Sequence, residues 1–257
     1  MTLAGWPEGL DGRVALVTDA ASPVGYACAR LLADTGARVA LTGPDESVRA
    51  RAARLAAETA PPSDRAEGCS LGVVADLRDQ QSVAALVDEV SGALGPVDVL
   101  VSVTVPAPAP PVPVRLSTLG LDEWHASLAT SLDPVFLVTR AVLPGMLARG
   151  WGRVVTVVVP PPAPGHAGVT TAHRALLGFT GAVAAEAAGG GVTCNAVVPV
   201  GLTGAAEAPT GWPAPGPAGQ ATDAEVAAVV AFLASTAAGH VTGQTVTVGG
   251  RGPQAAR

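Results

Sequence analysis

At 257 residues and 49% hydrophobic side chains, the chain can bury the core of one α/β domain and is far from disordered composition. Its formal net charge of −6 excludes a basic surface for nucleic acid or anionic lipid. Cys28, Cys69 and Cys194 are odd in number, far apart and set among apolar residues, which predicts free thiols rather than disulfides or a metal site. No basic segment followed by an apolar run opens the chain, and every apolar stretch is interrupted before spanning length, so a cytoplasmic protein without a membrane anchor is expected. Lysine and isoleucine are absent, Tyr26 is the single tyrosine and Asn195 the single asparagine, a bias that resembles a GC-rich genome.

The elements alternate between strand and helix along the whole chain. RVALVT over 13–18 predicts a buried strand, 27–35 a small-residue helix, and 38–42 a second strand. An Arg/Ala-rich helix over 46–59 stops at Pro61-Pro62, with Asp45 and Glu46 as its N-terminal acids. A strand over 70–75, a helix over 80–94 and a strand over 97–104 follow. Prolines 106–113 form a stiff loop before a long helix over 121–149, which Pro134 is expected to kink. A strand over 154–159, a loop, a helix over 171–188 and a strand over 192–198 come next. A Gly/Pro-rich excursion over 201–220 precedes a helix over 223–236 and a closing strand over 245–248. Seven strands with crossover helices predict an α/β, single-domain, Rossmann-like doubly wound parallel sheet with helices on both faces, covering 1–257.

Several segments, in this order and spacing, resemble the short-chain dehydrogenase/reductase family. DGRVALVTDAASPVGYACARLLADTGARVAL is similar to its opening βαβ unit, and VVADLRDQQSVAALVDEV to its third strand and helix. DEWHASLATSLDPVFLVTRAVLPGML resembles its fourth helix, RALLGFTGAVAAEAAGGGVTCNAVVP its catalytic helix and sixth strand, and HVTGQTVTVGG its closing strand. The resemblance implies a nicotinamide cofactor bound through a TGxxxGxG turn, whose glycines let the pyrophosphate approach a helix N-terminus. Here the turn reads Thr18-Asp19-Ala20-Ala21-Ser22-Pro23-Val24-Gly25, so only Thr18 and Gly25 remain. Asp19 puts a carboxylate in the phosphate position, and it is expected to cap the helix itself. Pro23 removes one amide. Thr42-Gly43-Pro44-Asp45 carries neither the acid nor the arginine that selects between the two nicotinamide cofactors. Asp76-Leu77 matches the adenine-contacting position, and Ser102 stands where the family has the first asparagine of NNAG.

The family's catalytic asparagine, serine, tyrosine and lysine correspond to Ser131, Val159, Val169 and His173. No other register supplies a tyrosine or lysine. His173 is the leading candidate for acid/base work, with Ser131 and His166 as accessory polar groups, although a solvated or hydrogen-bonded histidine that arrived after the lysine lost its role is the preferred reading of that position. Thr18, Asp19, Gly25, Asp76, Leu77 and Ser102 form a vestigial cofactor set, and the scattered histidines, including His125 and His240, predict no metal site.

The sequence therefore leads to the expectation of a protein without NAD(P)H-dependent redox chemistry and without a cofactor. It would be either an enzyme for dehydration, cyclisation or isomerisation of a hydrophobic small molecule, as in natural-product biosynthesis, or a catalytically silent subunit. The alternative is an NADPH-dependent ketoreductase with an atypical active site, which would bind NADP. The 201–220 excursion is expected to act as a substrate lid. Small or apolar positions on the two long helices (Ala126, Ala129, Leu132, Ala175, Phe179, Val183) predict a homo-oligomer, dimer or tetramer, or a hetero-oligomer with an intact relative.

Overall fold

A computed structural model describes residues 10–59, 70–104, 116–160, 167–200 and 220–249. The elements run β1 (Val14–Val17), α1 (Pro23–Asp34), β2 (Arg38–Gly43), α2 (Ser47–Glu58), β3 (Ser70–Val74), α3 (Gln80–Ala93), β4 (Val99–Thr104), α4 (Leu121–Arg149), β5 (Gly152–Val158), α5 (Ala167–Glu186), β6 (Val192–Pro199), α6 (Asp223–Ala234) and β7 (Thr245–Val248). The seven strands form one sheet in the order β3-β2-β1-β4-β5-β6-β7, and every pair is parallel. This is the doubly wound arrangement expected from the alternation of strands and helices.

The strands are buried because both faces of the sheet carry helices. In β1, Ala15 and Val17 face a core built with α1, α2 and α6, where Cys28, Leu32, Leu55 and Val230 pack. Val14 and Leu16 point the other way, toward Leu86 of α3, Val138 and Met146 of α4, and Val183 of α5. The period of two along each strand thus feeds two separate apolar layers, which is why the strands read as continuous Val/Leu/Ala runs. At the edge of the sheet opposite the carboxyl ends, Asp98 accepts a hydrogen bond from the Val14 amide at 3.2 Å and pairs with Arg13 and Arg149 at 3.5 Å each.

Two helices begin a turn earlier than their sequences suggest. α1 starts at Pro23 rather than at residue 27, because the Gly25 amide donates to the Ser22 hydroxyl at 3.1 Å and proline at the first helical position loses no needed bond. α5 starts at Ala167 rather than 171. Its Gly168 lies so close to Ser127 of α4 that a Cβ would sit 2.6 Å from the serine Cβ, and this packing carries the helix through Val169, Thr170 and Thr171. α4 is a single 29-residue helix that contains both Pro134 and Pro144.

α4 is also, among the described residues, the one helix long and apolar enough to cross a membrane by length and composition. Its Val138, Val142, Leu143 and Met146 instead belong to the core beneath the sheet. His166, Cys69, the 106–113 loop and residues 201–219 of the proposed lid lie outside the described residues.

Candidate functional site: the cleft at the carboxyl ends of the strands

β1 pairs with β2 on one side and with β4 on the other, so the chain leaves the sheet in opposite directions at this point. A crevice outside the strand ends is the topological consequence, and such crevices hold ligands in open α/β sheets. Here it is a cleft of about 460 Å³, lined from β1 by Thr18 and Asp19, from β2 by Gly43 and Pro44, and after β3 by Asp76, Leu77 and Arg78. Ser102 and Thr104 of β4 and Thr130 and Ser131 of α4 complete its polar wall.

Thr18 ties the two sides together. Its amide donates to the Val101 carbonyl at 2.9 Å, and its hydroxyl accepts from the Val103 amide at 3.0 Å. The turn that follows is built around Ser22, whose hydroxyl donates to the Asp19 carbonyl at 2.8 Å while capping α1. The expectation that the Asp19 carboxylate caps this helix is therefore corrected: Asp19 contributes its carbonyl, and the cap is Ser22. A serine one residue ahead of a proline in the first helical position was the available signal.

Asp19 has φ +47°, the one positive value among the described non-glycine residues. Aspartate is one of the few side chains that tolerates the left-handed region, so the turn keeps the shape of a glycine turn without the glycine. Its carboxyl is half-buried, and burial pushes its pKa up to about 6 against the opposing pull of the Arg51 guanidinium on α2. Gly25 is needed for space: a Cβ would run into the Asp19 carbonyl and lie 3.0 Å from the Ser22 hydroxyl.

The remaining positions divide by location. Asp76 is pinned by Arg78, whose backbone amide donates at 2.9 Å and whose guanidinium donates at 3.1 and 3.2 Å. These bonds hold the Asp76 carboxyl below the usual range. Ser102 is 0% exposed, and its hydroxyl has no hydrogen-bond partner among the described residues. Ser131 lines the cleft beside Thr130.

Val159 is buried and Val169 half-buried, and neither is among the described residues lining the cleft. His173 is 1% exposed and likewise off the cleft wall; burial drives its pKa down to about 4, and its Nδ1 has no partner among the described residues. It is neutral at pH 7 and does not carry the positive charge of the lysine it replaces. Arg51 and Arg78 went unnoticed in the sequence. Arg78 was findable two residues after Asp76, whereas only the fold brings α2 to the turn after β1. Among the described residues no His/Cys/Asp/Glu cluster has the makings of a metal site.

A family profile described as Enoyl-(Acyl carrier protein) reductase matches residues 20–250. The chain belongs to the short-chain dehydrogenase/reductase family. It is 34% identical to a 3-oxoacyl-(acyl-carrier-protein) reductase of Vibrio cholerae, over 94% of this chain and 97% of the relative. Identity is 36% to the Pseudomonas aeruginosa enzyme of that name, with 94% and 97% coverage, and 32% to the Escherichia coli one, with 93% and 97%.

These relatives overturn the expectation of a cofactor-independent or catalytically silent protein without nicotinamide redox chemistry. They are reductases, and they align along almost the full chain rather than over a shared core alone. Asp76, Leu77 and Ser102, whose hydroxyl has no hydrogen-bond partner among the described residues, lie on the cleft wall where the dinucleotide that the family implies would sit. The turn after β1 has the left-handed backbone of a glycine turn at Asp19, and it departs from a plain phosphate cradle in the Asp19 carboxyl, the missing Pro23 amide and the Gly25 amide taken by Ser22.

Two measurements test this geometry. Gly25→Ala is expected to destabilise the fold by about 1–3 kcal/mol through overpacking, read as a melting temperature lowered by several degrees. His173 binds a proton more readily unfolded, at the ordinary 6.5, than folded, at about 4, so its contribution is full above pH 6.5 and is lost as pH falls toward 4. Asp19 works in the opposite sense between 3.8 and about 6, because its folded pKa is raised. His173→Leu is therefore expected to lose stability less steeply than the parent between pH 6.5 and 4, in denaturant titrations across that range.

Proposed function

We propose that the chain is an NADPH-dependent reductase of 3-oxoacyl thioesters that works with an atypical active site. The observation that carries this reading is identity of 30–36% to 3-oxoacyl-(acyl-carrier-protein) reductases over 93–94% of the chain. The open cleft at the switch point between β1 and β4 supports it. The bound nicotinamide would supply a hydride to the keto carbon. Asp76 and Leu77 hold the adenine end, with Thr18 and Ser102 on the inner wall. Ser131 offers a hydroxyl that donates to the substrate carbonyl oxygen and relays a proton to it from solvent, whereas the Thr130 hydroxyl donates to the Ala126 carbonyl at 2.8 Å. Val159 and Val169 make the serine and tyrosine positions apolar, and the buried His173 stays neutral. The reaction therefore proceeds without a tyrosine acid whose pKa is lowered by a lysine, and slow turnover follows.

One domain over 1–257, with 201–220 covering the substrate, belongs to the same reading, as does a cytoplasmic site of action alongside acyl-carrier chemistry. So does a symmetric homo-oligomer built on α4 and α5. Phe136, 45% exposed, meets Phe179 edge-to-face at 6.3 Å on that surface, whereas Val183 is buried in the core and is no interface residue.

Purified protein with acetoacetyl-coenzyme A is expected to consume NADPH slowly in a substrate-dependent manner, followed by absorbance. Restoring the acid pair with Val169→Tyr and His173→Lys together is expected to raise kcat by about 100-fold. No consumption by either form would refute the reductase reading. Light scattering is expected to give a dimer or tetramer that Phe136→Asp shifts toward monomer; a monomeric parent chain would remove the oligomer from the proposal.

A further inference from the structure

The turn after β1 combines three features that do not occur together in a plain phosphate cradle. Pro23 has no amide to offer, and the Gly25 amide is already taken by the Ser22 hydroxyl. Asp19 lies on the cleft wall, half-buried, and its carboxyl accepts no hydrogen bond from any described residue. The surrounding charges are few. α2 presents Arg51, and the segment after β3 presents Asp76 and Arg78, which are bonded to each other. The first turn of α1 has no acid, and β2, β4 and α4 line the cleft with the uncharged Gly43, Ser102, Thr104, Thr130 and Ser131.

An ionised Asp19 would therefore repel a phosphate-bearing ligand in a site with little cation to offset it. A protonated Asp19 would do the reverse, because its O–H donates a hydrogen bond to a phosphate oxygen in place of the amides that Ser22 and Pro23 remove. We propose that Asp19 sets the affinity of the cleft for its dinucleotide by admitting it only with the carboxyl protonated, so that binding takes up one proton. The inference rests on the reductase reading above for the identity of the ligand.

Burial already holds this carboxyl at about 6, so protonation lies within reach near neutral pH. If only the protonated form binds, the apparent dissociation constant rises as the protonated fraction falls, about tenfold per pH unit above the pKa. The sign is fixed by that linkage: affinity is full in mild acid and is lost with rising pH.

The test is a calorimetric titration with NADP, which is stable in acid, between pH 5 and pH 8.5. It compares the parent chain with Asp19→Asn and Asp19→Gly, both suited to a positive φ. The 2′-phosphate of the ligand also titrates near 6, so the deciding quantity is the difference between parent and variant. Asp19→Asn is expected to bind within about twofold of the parent at pH 5 and up to about 100-fold more tightly at pH 8. Buffers of different ionisation enthalpy are expected to reveal about one extra proton taken up by the parent at pH 8 relative to the variant. Parallel pH profiles for parent and both variants would overturn the role of Asp19 while leaving the reductase reading intact. Failure of all three proteins to bind at any pH would overturn the reductase reading and this inference with it.

Discussion

The hydrogen bonds from Thr18 to β4 hold the site open, because they fasten together two strands that the chain leaves in opposite directions. Thr18 donates its amide to Val101 at 2.9 Å and accepts the Val103 amide on its hydroxyl at 3.0 Å, more than eighty residues away in sequence. With β1 clamped to β4 on one side and paired with β2 on the other, the turn after β1 and the segments after β2 and β3 rim one crevice. Loop-closure entropy for so distant a contact is offset by the apolar layers on both faces of the sheet rather than by the bonds themselves.

The turn after β1 is built with few of the family's usual residues. Asp19 adopts the left-handed conformation a glycine would take, Ser22 caps α1, Pro23 occupies the first helical position, and Gly25 leaves the space its neighbours need. The backbone at Asp19 is the left-handed one that suits a glycine, while its side chain brings a carboxyl to the turn. Burial raises the pKa of this half-buried carboxyl to about 6, so ionising it near neutral pH costs stability that the apolar layers of the sheet must offset. On the same cleft, Asp76 keeps its charge through Arg78.

The seven-stranded parallel sheet with helices on both faces was legible in the sequence, since strands such as RVALVT alternate with helices of the right length and period. The starts of α1 and α5 were less so, because one depends on a serine–proline cap and the other on Gly168 packing against Ser127. At the site, the positions of Thr18, Asp76, Ser102 and Ser131 on one cleft followed from the family resemblance. Their electrostatics did not: the pull of Arg51 on Asp19 exists only once α2 is folded back, and the depressed pKa of His173 comes from burial that no local pattern signals. Function was misjudged for a related reason. Missing side chains were read as missing chemistry, while the relatives that share the whole chain at about a third identity are reductases.

The central claim is that this cleft is a dinucleotide site. A crystal structure of the protein grown with NADP at pH 5.5 tests it most directly. The account predicts ordered cofactor across the strand ends, its adenine beside Asp76 and Leu77 and its phosphates against the turn that contains Asp19. Crystals diffracting well under saturating cofactor, with the cleft free of it or with the dinucleotide bound elsewhere, would contradict the account.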